Sequence, residues 1–266
     1  MKRALRILIF FLIIALVVAA NISRRNSKIV GIAVRIDYPT NDTLINAEQV
    51  EQLILQQLPH VTSQLVKEVD TKAINKVVST CPYLQDNEVS VSLGRNIVVK
   101  AQQRRPIVHL FYGKEEFYLD RYGRCVPTSE LGDVNVIMAN GVFLQQLSDN
   151  YVEMDLERYS KDSAKCHYGI VRVWQMACYL DQHDKLRDQY DQIYLAPNGD
   201  LILVPVLGDF TIVIGDPVDL DTKFKNFQRL TEKVFPKVGW DFYSQINLKY
   251  HNQVVCTKSP NKPDQQ

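Results

Sequence analysis

Glycine and proline are scarce in this chain, with 11 of each among 266 residues, while 46% of the residues are hydrophobic and 23% are charged. A collagen-like or low-complexity chain would contain far more glycine and proline, and a disordered chain would contain far less hydrophobic material. The composition therefore indicates a globular protein, and the length is sufficient for one large domain or two small ones.

The body of the chain lacks an excess of positive charge. Six of the 31 basic residues and none of the 30 acidic residues lie in residues 1–28. The rest of the chain therefore carries 25 basic and 30 acidic residues, a net charge of −5. Because a body of this sign does not attract a phosphate backbone, the sequence argues against a nucleic-acid partner.

Signatures of catalysis and of cofactor binding are also missing. The chain has no P-loop and no G-x-G-x-x-G, G-x-S-x-G or H-E-x-x-H motif. Cys166-His167 lacks further ligands at metal spacing, and His183-Asp184 lies in a polar run typical of a solvated helix end. We expect no catalytic residue, no metal, no cofactor and no small-molecule substrate.

Cysteine is present in an odd number and without any C-x-x-C pair. The five residues are widely separated: Cys81, Cys125, Cys166, Cys178 and Cys256. Such spacing does not favour a disulfide framework in a body of this size. We expect small buried hydrophobic side chains with at most one incidental bridge.

A long apolar run is present near the N-terminus. Ile7–Ala20 is uninterrupted, and small residues at positions 18 to 20 would suit cleavage of a signal peptide. Counted as residues 7–23, the segment would form a helix of about 26 Å, close to the lower limit for spanning a bilayer, with Arg6 and Arg24 at its ends. The residues alone do not decide between a cleaved signal peptide and an uncleaved membrane anchor. Both predict that the body is exported.

The first zone after this run has the pattern of a small α+β unit. Alternating residues predict strands at 29–36, 88–93 and 96–103, with a tight turn at Gly94-Arg95. Helical spacing predicts helices at 46–58 and 70–81, the first capped by Asn46. The order β-α-α-β-β predicts two helices on one face of a small sheet.

The second zone, from about residue 109, has the pattern of a mainly antiparallel β domain with two helices. Helices are predicted at 170–180 and 220–234, and Asn198-Gly199 is the preferred pair for a type I′ hairpin turn. The last predicted strands are 245–250 and 253–257. The final strand lacks an acid, a lysine or a proline to blunt its edge, so it could accept a strand from another chain, unless it is interior or covered by the tail.

Three stretches carry motifs that belong together. Residues 96–107 (NIVVKAQQRRPI) contain a strand followed by a polar-Arg-x-Pro sequence. Residues 118–127 (YLDRYGRCVP) contain D-x-x-G followed by a proline, and residues 246–250 read INLKY. In this order and spacing they resemble the bacterial division proteins FtsQ, called DivIB in other lineages, whose corresponding signatures are LVD-x-x-G and IDLRY.

The resemblance implies a non-enzymatic scaffold of the division complex: a single-pass inner-membrane protein with a cytoplasmic N-terminus and a periplasmic body, enriched at the septum. The implied domains are a cytoplasmic tail (1–6), a transmembrane helix (7–23), a linker (24–28), a POTRA-like domain (29–108), a β domain (109–257) and a flexible tail (258–266). The implied partners are FtsB/FtsL-type proteins and an upstream division protein that docks on the POTRA-like domain.

The resemblance also implies a binding site, because the last strand of the family's second domain pairs with a strand of the FtsB-type partner. Carried over by motif, the contact positions and the accepting edge are Lys249, Tyr250, Asn252, Gln253, Val254, Val255 and Cys256. The chain departs from the family in having no tryptophan after this strand and a short N-terminal tail.

Two other functional classes remain open. An exported POTRA-containing assembly or chaperone-like factor of the outer membrane would need a long C-terminal run of alternating strands. A periplasmic enzyme with an unrecognised site would need a perturbed titratable cluster in a deep pocket.

Overall fold

The computed structural model describes residues 2–143, 151–250 and 253–260. The chain divides into two compact units, Met1–Arg104 with Ser129–Gly132, and Arg105–Thr128 with Asp133–Gln266. The fold is a mixed α+β fold with an N-terminal apolar helix and a large β-sheet, which confirms the coarse fold class predicted from the sequence.

The N-terminal helix α1 (Lys2–Arg25) extends beyond the predicted span at both ends. Its segment Arg6–Arg25 has 20 residues, a mean hydropathy of 2.5 and no buried residue. At 1.5 Å per residue this segment is about 30 Å long, so it is long and apolar enough to cross a bilayer.

The rest of the first unit contains a three-stranded sheet and two helices. The elements are β1 (Gly31–Asp37), α2 (Ala47–Gln57), α3 (Thr71–Val78), β2 (Leu84–Val91) and β3 (Asn96–Gln103). Central β3 pairs parallel with β1 and antiparallel with β2. Their order is the order predicted from the sequence.

Local capping explains why these helices begin where the sequence predicts. The Asn46 side chain accepts from the Gln49 N–H at 2.9 Å, and the Gln49 side chain accepts from the Asn46 N–H at 3.0 Å, which is a capping box. Strand β2, in contrast, begins four residues before the predicted one. A bulge between Gln85 and Glu88 breaks the period-two pattern there, with Asp86 at φ 52°.

The second unit contains nine strands and five α-helices among its described residues. They are β4 (Pro106–Tyr112), β5 (Glu115–Asp120), β6 (Cys125–Pro127), β7 (Ile137–Gly141), α4 (Leu156–Ser160), α5 (Gly169–Gln182), α6 (Asp184–Arg187), β8 (Tyr190–Leu195), β9 (Leu201–Pro205), β10 (Thr211–Gly215), α7 (Leu220–Lys233), α8 (Phe235–Val238), β11 (Tyr243–Asn247) and β12 (Val255–Lys258). The strand order is β12-β11-β10-β9-β8-β7-β4-β5-β6.

This sheet is more mixed than the sequence predicts. Five of its strand pairings are antiparallel, whereas β4 with β7, β7 with β8, and β10 with β11 are parallel. The two long helices explain two of the parallel pairs, because α5 connects β7 to β8 and α7 connects β10 to β11. The short helices α4, α6 and α8 were not predicted.

The two faces of the large sheet differ in burial. One face joins the core of the second unit, and residues in register across it are buried: Leu110, Ala139, Ile193, Leu203, Ile212 and Ile246. On the opposite face the register brings His109, Met138 and Gln192 side by side, and Met138 is 47% exposed. One face therefore carries the hydrophobic core and the other is more polar.

The predicted type I′ turn at Asn198-Gly199 is wrong in type, although the β8–β9 hairpin is confirmed. Gly199 has φ 84°, but Asn198 does not have the positive φ that a type I′ turn requires. The Gly199 N–H donates to the Ala196 carbonyl at 2.8 Å, so the turn begins at Ala196. Pro197 then lies at the second position, where its fixed φ favours a type I turn with a glycine bulge.

We expect His109, on the more polar face of the sheet, to make the stability of the fold depend on pH. The His109 ring packs against the rings of Phe111 and Tyr118, and each ring centroid is 4.4 Å from its own. Burial lowers its pKa, while Glu116 and Asp133 oppose the shift. Because the unfolded chain then binds the proton more readily, the folded state should lose stability as the pH falls below about 6.5. Urea unfolding at neutral and mildly acidic pH measures this loss, and His109→Phe should reduce it. An unchanged pH dependence in that variant would contradict the assignment.

Candidate partner-binding edge

Strand β12 forms one end of the large sheet. It pairs antiparallel with β11, and no other strand in the described part of the chain pairs with it. An edge strand has backbone N–H and C=O groups on one side that do not bond within the sheet. The second side of β12 is therefore a candidate site for a strand from another chain.

The register shows which backbone groups face outward. Cys256 lies opposite Ile246, between the pairs Asn247–Val255 and Gln245–Thr257. On β11 the even-numbered positions face β10, since the Leu248 N–H donates to the Val213 carbonyl at 2.8 Å. Along two antiparallel strands, pairs of opposite residues alternate between hydrogen-bonded and non-hydrogen-bonded pairs. The odd-numbered positions of β11 are therefore the ones that form hydrogen bonds with β12.

The N–H and C=O of Cys256 consequently face away from β11, while those of Val255 and Thr257 face towards it. The Ser259 N–H donates to the Phe242 carbonyl at 3.0 Å, which agrees with this alternation along β12. An added strand would therefore meet the backbone of Cys256.

Side chains of this segment alternate between two environments. Val254 and Cys256 are half-buried and pack against the core of the second unit. Val255 points to the opposite face of the sheet and is 44% exposed. The segment is thus held to its own sheet by Val254 and Cys256, and it presents Val255 as an apolar neighbour for an added strand.

Lys249 forms an ion pair within the second unit. Its Nζ lies 2.8 Å from Asp200 Oδ1 and 3.1 Å from Oδ2, and this hydrogen bond raises the pKa of Lys249. Its side chain also lies over Gly215, where an added Cβ would be 2.9 Å from Lys249 Cγ. Lys249 therefore ties the end of β11 to the β8–β9 hairpin.

The remaining predicted contact residues lie around the connection between β11 and β12. Tyr250 is 50% exposed, and Gln253 is exposed just before Val254. Asn252 lies outside the described residues.

The boundaries of the last two strands differ from those predicted. Strand β11 ends at Asn247 instead of residue 250, because the Asn247 side chain accepts from the Lys249 N–H at 2.9 Å and turns the chain. Strand β12 begins at Val255 instead of Gln253 and continues to Lys258. Gln253 and Val254 therefore precede the edge strand.

Sequence reasoning missed a polar cluster next to this connection. Lys223 Nζ donates to the carbonyls of Ile214 and Asp216 at 2.9 and 2.7 Å, and Arg172 pairs with Asp216. Together these contacts fix the connection from β10 to α7. Beside it is a cavity of about 270 Å³ whose lining includes Asp219, Leu248, Lys249 and Tyr250. The partners are far apart in sequence, so no local pattern marks them.

Within residues 2–143, 151–250 and 253–260 there is no group of three or more His, Cys, Asp or Glu side chains that could hold a metal ion. All five cysteines are in the described part, and each is a free thiol.

A cavity of about 1080 Å³ in the described part is lined mainly by apolar and aromatic side chains of α5, α7 and the strands near them. Within it Tyr179 donates to Asp221 at 2.9 Å, and burial raises the pKa of that tyrosine. This arrangement includes no activated nucleophile.

Comparison with known proteins gives one family match. The family described as "FtsQ/DivIB, C-terminal related" matches residues 105–257, which is more than half of the chain. No curated protein matches the sequence. The matched segment begins where the second unit begins, at Arg105, and includes the first three residues of β12.

Proposed function

The chain belongs to the FtsQ/DivIB family of bacterial division proteins, and we propose that it is a non-enzymatic, membrane-anchored scaffold of the division complex. The observation that carries this proposal is the edge strand β12, whose first three residues lie in the matched segment and which pairs with only one strand among the described residues. A scaffold requires a surface that binds another protein, and this edge would provide one by accepting a strand.

We propose strand addition as the binding mode, with an FtsB/FtsL-type protein as the partner. The outward N–H and C=O of Cys256 would form main-chain hydrogen bonds, and Val255 would pack beside an apolar side chain of the added strand. Gln253 and Val254 would extend the contact, and Tyr250 and Asn252 would border it. Lys249 would act by holding this connection in place through Asp200.

The proposed topology follows from α1 and the family. Residues 7–23 would cross the inner membrane, residues 1–6 would be cytoplasmic, and the body would be periplasmic and enriched at the septum. The match and the second unit both begin at residue 105, so we place the start of the β domain there rather than at 109.

The first unit would be a POTRA-like domain that an upstream division protein contacts. Its two helices and its sheet, in which β1 and β3 are parallel, support this proposal.

Cys256→Pro tests the strand addition directly. Proline removes the outward N–H but no bond to β11, and a proline is tolerated on an edge strand when its N–H side faces solvent. We expect the affinity for a purified FtsB/FtsL-type partner to fall about tenfold or more, since a hydrogen bond of about 1 kcal/mol is lost and the ring obstructs the added strand. The full chain in detergent is used for the measurement.

Cys256→Ala is the matched control, because it removes the same side chain and keeps the N–H. It should bind as the unsubstituted chain does. Both variants lose the half-buried Cys256 side chain, so we expect them to lower the unfolding midpoint to a similar, small extent while the chain stays folded. Equal affinity of the proline variant would contradict strand addition at β12. Normal division after depletion of the protein would contradict the division role itself.

A further inference from the structure

The tip of the β2–β3 hairpin lies at the end of α1. The Arg24 guanidinium, in the last turn of α1, donates to the Ser92 carbonyl at 3.2 Å. The Val30 N–H donates to the Arg95 carbonyl at 3.0 Å. Because these contacts join the hairpin tip to the chain leaving α1, the tip lies where that helix would leave a bilayer.

Two exposed apolar side chains lie at this position. Leu93, at the hairpin tip, is 86% exposed and is the most exposed large hydrophobic side chain in the described part of the chain. Val30, next to Arg95, is 63% exposed. An exposed leucine at a loop tip needs no explanation by itself. Its position beside a membrane-spanning segment gives it an apolar environment to enter.

The charges around the tip are mostly basic. Arg24, Arg25, Lys28 and Arg95 lie within a few residues of the contacts just described, and residues 21–31 and 92–97 contain no acid. The Val66 N–H donates to the Ser27 carbonyl at 3.0 Å, which brings one further base, Lys67, and one acid, Glu68, close to this region. The net charge is positive, which suits the phosphates of anionic phospholipids.

We propose that the β2–β3 hairpin tip is a second membrane contact, in which Leu93 enters the interface of the bilayer and the basic side chains bind lipid phosphates. This inference rests on the membrane span included in the proposed function. Apolar side chains flanked by basic residues bind interfaces in this way. With α1 and the hairpin both held, the first unit would have a fixed orientation on the membrane surface.

Fluorescence quenching by lipids brominated on their acyl chains tests the proposal with the full chain in nanodiscs that contain phosphatidylglycerol. Leu93→Trp adds a reporter at the tip, and the unsubstituted chain, with its two tryptophans, gives the baseline. Tyr38→Trp is the control, because residue 38 follows the far end of β1, about 26 Å from Val30 at 3.3 Å per residue. Phe11→Trp reports on α1 itself.

We expect the added fluorescence of Leu93→Trp and of Phe11→Trp to be quenched, and that of Tyr38→Trp to remain. Quenching of Phe11→Trp with no more quenching at residue 93 than at residue 38 would overturn the hairpin contact and leave the span intact. Absence of quenching at residue 11 would overturn both the span and the contact. Unchanged quenching at residue 93 after replacement of the anionic lipid by phosphatidylcholine would overturn the role given to the basic residues.

Discussion

Replacing Asp120 with alanine is expected to lower the free energy of unfolding of the second unit by about 3 kcal/mol or more. Asp120 ends β5 and is 1% exposed. Its Oδ1 accepts the N–H of Tyr122 at 2.9 Å and the N–H of Arg124 at 2.8 Å. Each bond to a charged acceptor contributes about 1.5–3 kcal/mol, and removing the acceptor leaves both donors without it.

The turn that Asp120 organises also supports two helices. The Trp174 Nε1–H in α5 donates to the Asp120 carbonyl at 3.0 Å, and the Leu156 N–H in α4 donates to the Gly123 carbonyl at 2.9 Å. Gly123 has φ 72°, and an added Cβ would lie 2.8 Å from Leu156 Cβ. The stretch from Tyr118 to Gly123 that resembles the family signature is therefore a structural turn. Its loss would also disturb the packing of α4 and α5 in the core.

Asp120→Asn is the matched control for this prediction, because a single amide oxygen can accept both N–H groups. We expect it to cost much less than Asp120→Ala. Urea unfolding of the full chain in detergent, followed by tryptophan fluorescence, measures both, since Trp174 and Trp240 both lie in the second unit. A lower midpoint at an unchanged slope would indicate lost stability. Equal losses in the two variants would show that the charge, rather than the oxygen acceptor, matters.

The parts of the fold that could be predicted are those with local signals. Asn46 marks the start of α2 because its cap involves residues three positions apart, and α5 and α7 show helical spacing within one segment. The parallel pairings could not be predicted, because β4 and β7 meet across 24 intervening residues and no residue pattern encodes that choice. The start of β2 could not be predicted either, because the bulge between Gln85 and Glu88 interrupts the alternating pattern of the strand.

The candidate site shows the same division between local and distant signals. Val254 and Val255 could be identified from the sequence as an apolar segment with an unprotected edge. The direction of the Cys256 backbone could not, because it depends on the register with Ile246 and on the bond from Leu248 to Val213. Likewise, the ion pair between Lys249 and Asp200 could not be predicted, because the two residues are 49 positions apart in the sequence.

Gly141→Ala is expected to reduce the stability of the second unit by about 2–6 kcal/mol. Gly141 ends β7 with φ 135°, a conformation that costs an alanine about 1–3 kcal/mol. An added Cβ would also lie 2.2 Å from the Leu195 carbonyl oxygen and 2.6 Å from its nitrogen. Backbone atoms cannot move aside as a flexible side chain does, and such overpacking costs about 1–3 kcal/mol more.

Gly113→Ala separates these two causes. Gly113, between β4 and β5, has φ 64°, but an added Cβ there would meet no atom within 4 Å. It should therefore show only the conformational cost, about 1–2 kcal/mol, in the same urea unfolding experiment. Equal losses for the two glycines would contradict the close contact with Leu195.

The position of Gly141 makes this contact important for the candidate site. In the sheet order, β7 is the only strand between β8–β12 and β4–β6, and Gly141 pairs with Leu195 where β7 meets β8. The Val142 N–H also donates to the Leu195 carbonyl at 2.8 Å, so a shift of Leu195 would break that bond as well. Because β12 is four strands away from β8, we expect Gly141→Ala to weaken partner binding only where the second unit begins to unfold. Under conditions in which the variant stays folded, its affinity should equal that of the unsubstituted chain, whereas Cys256→Pro should bind weakly under all conditions.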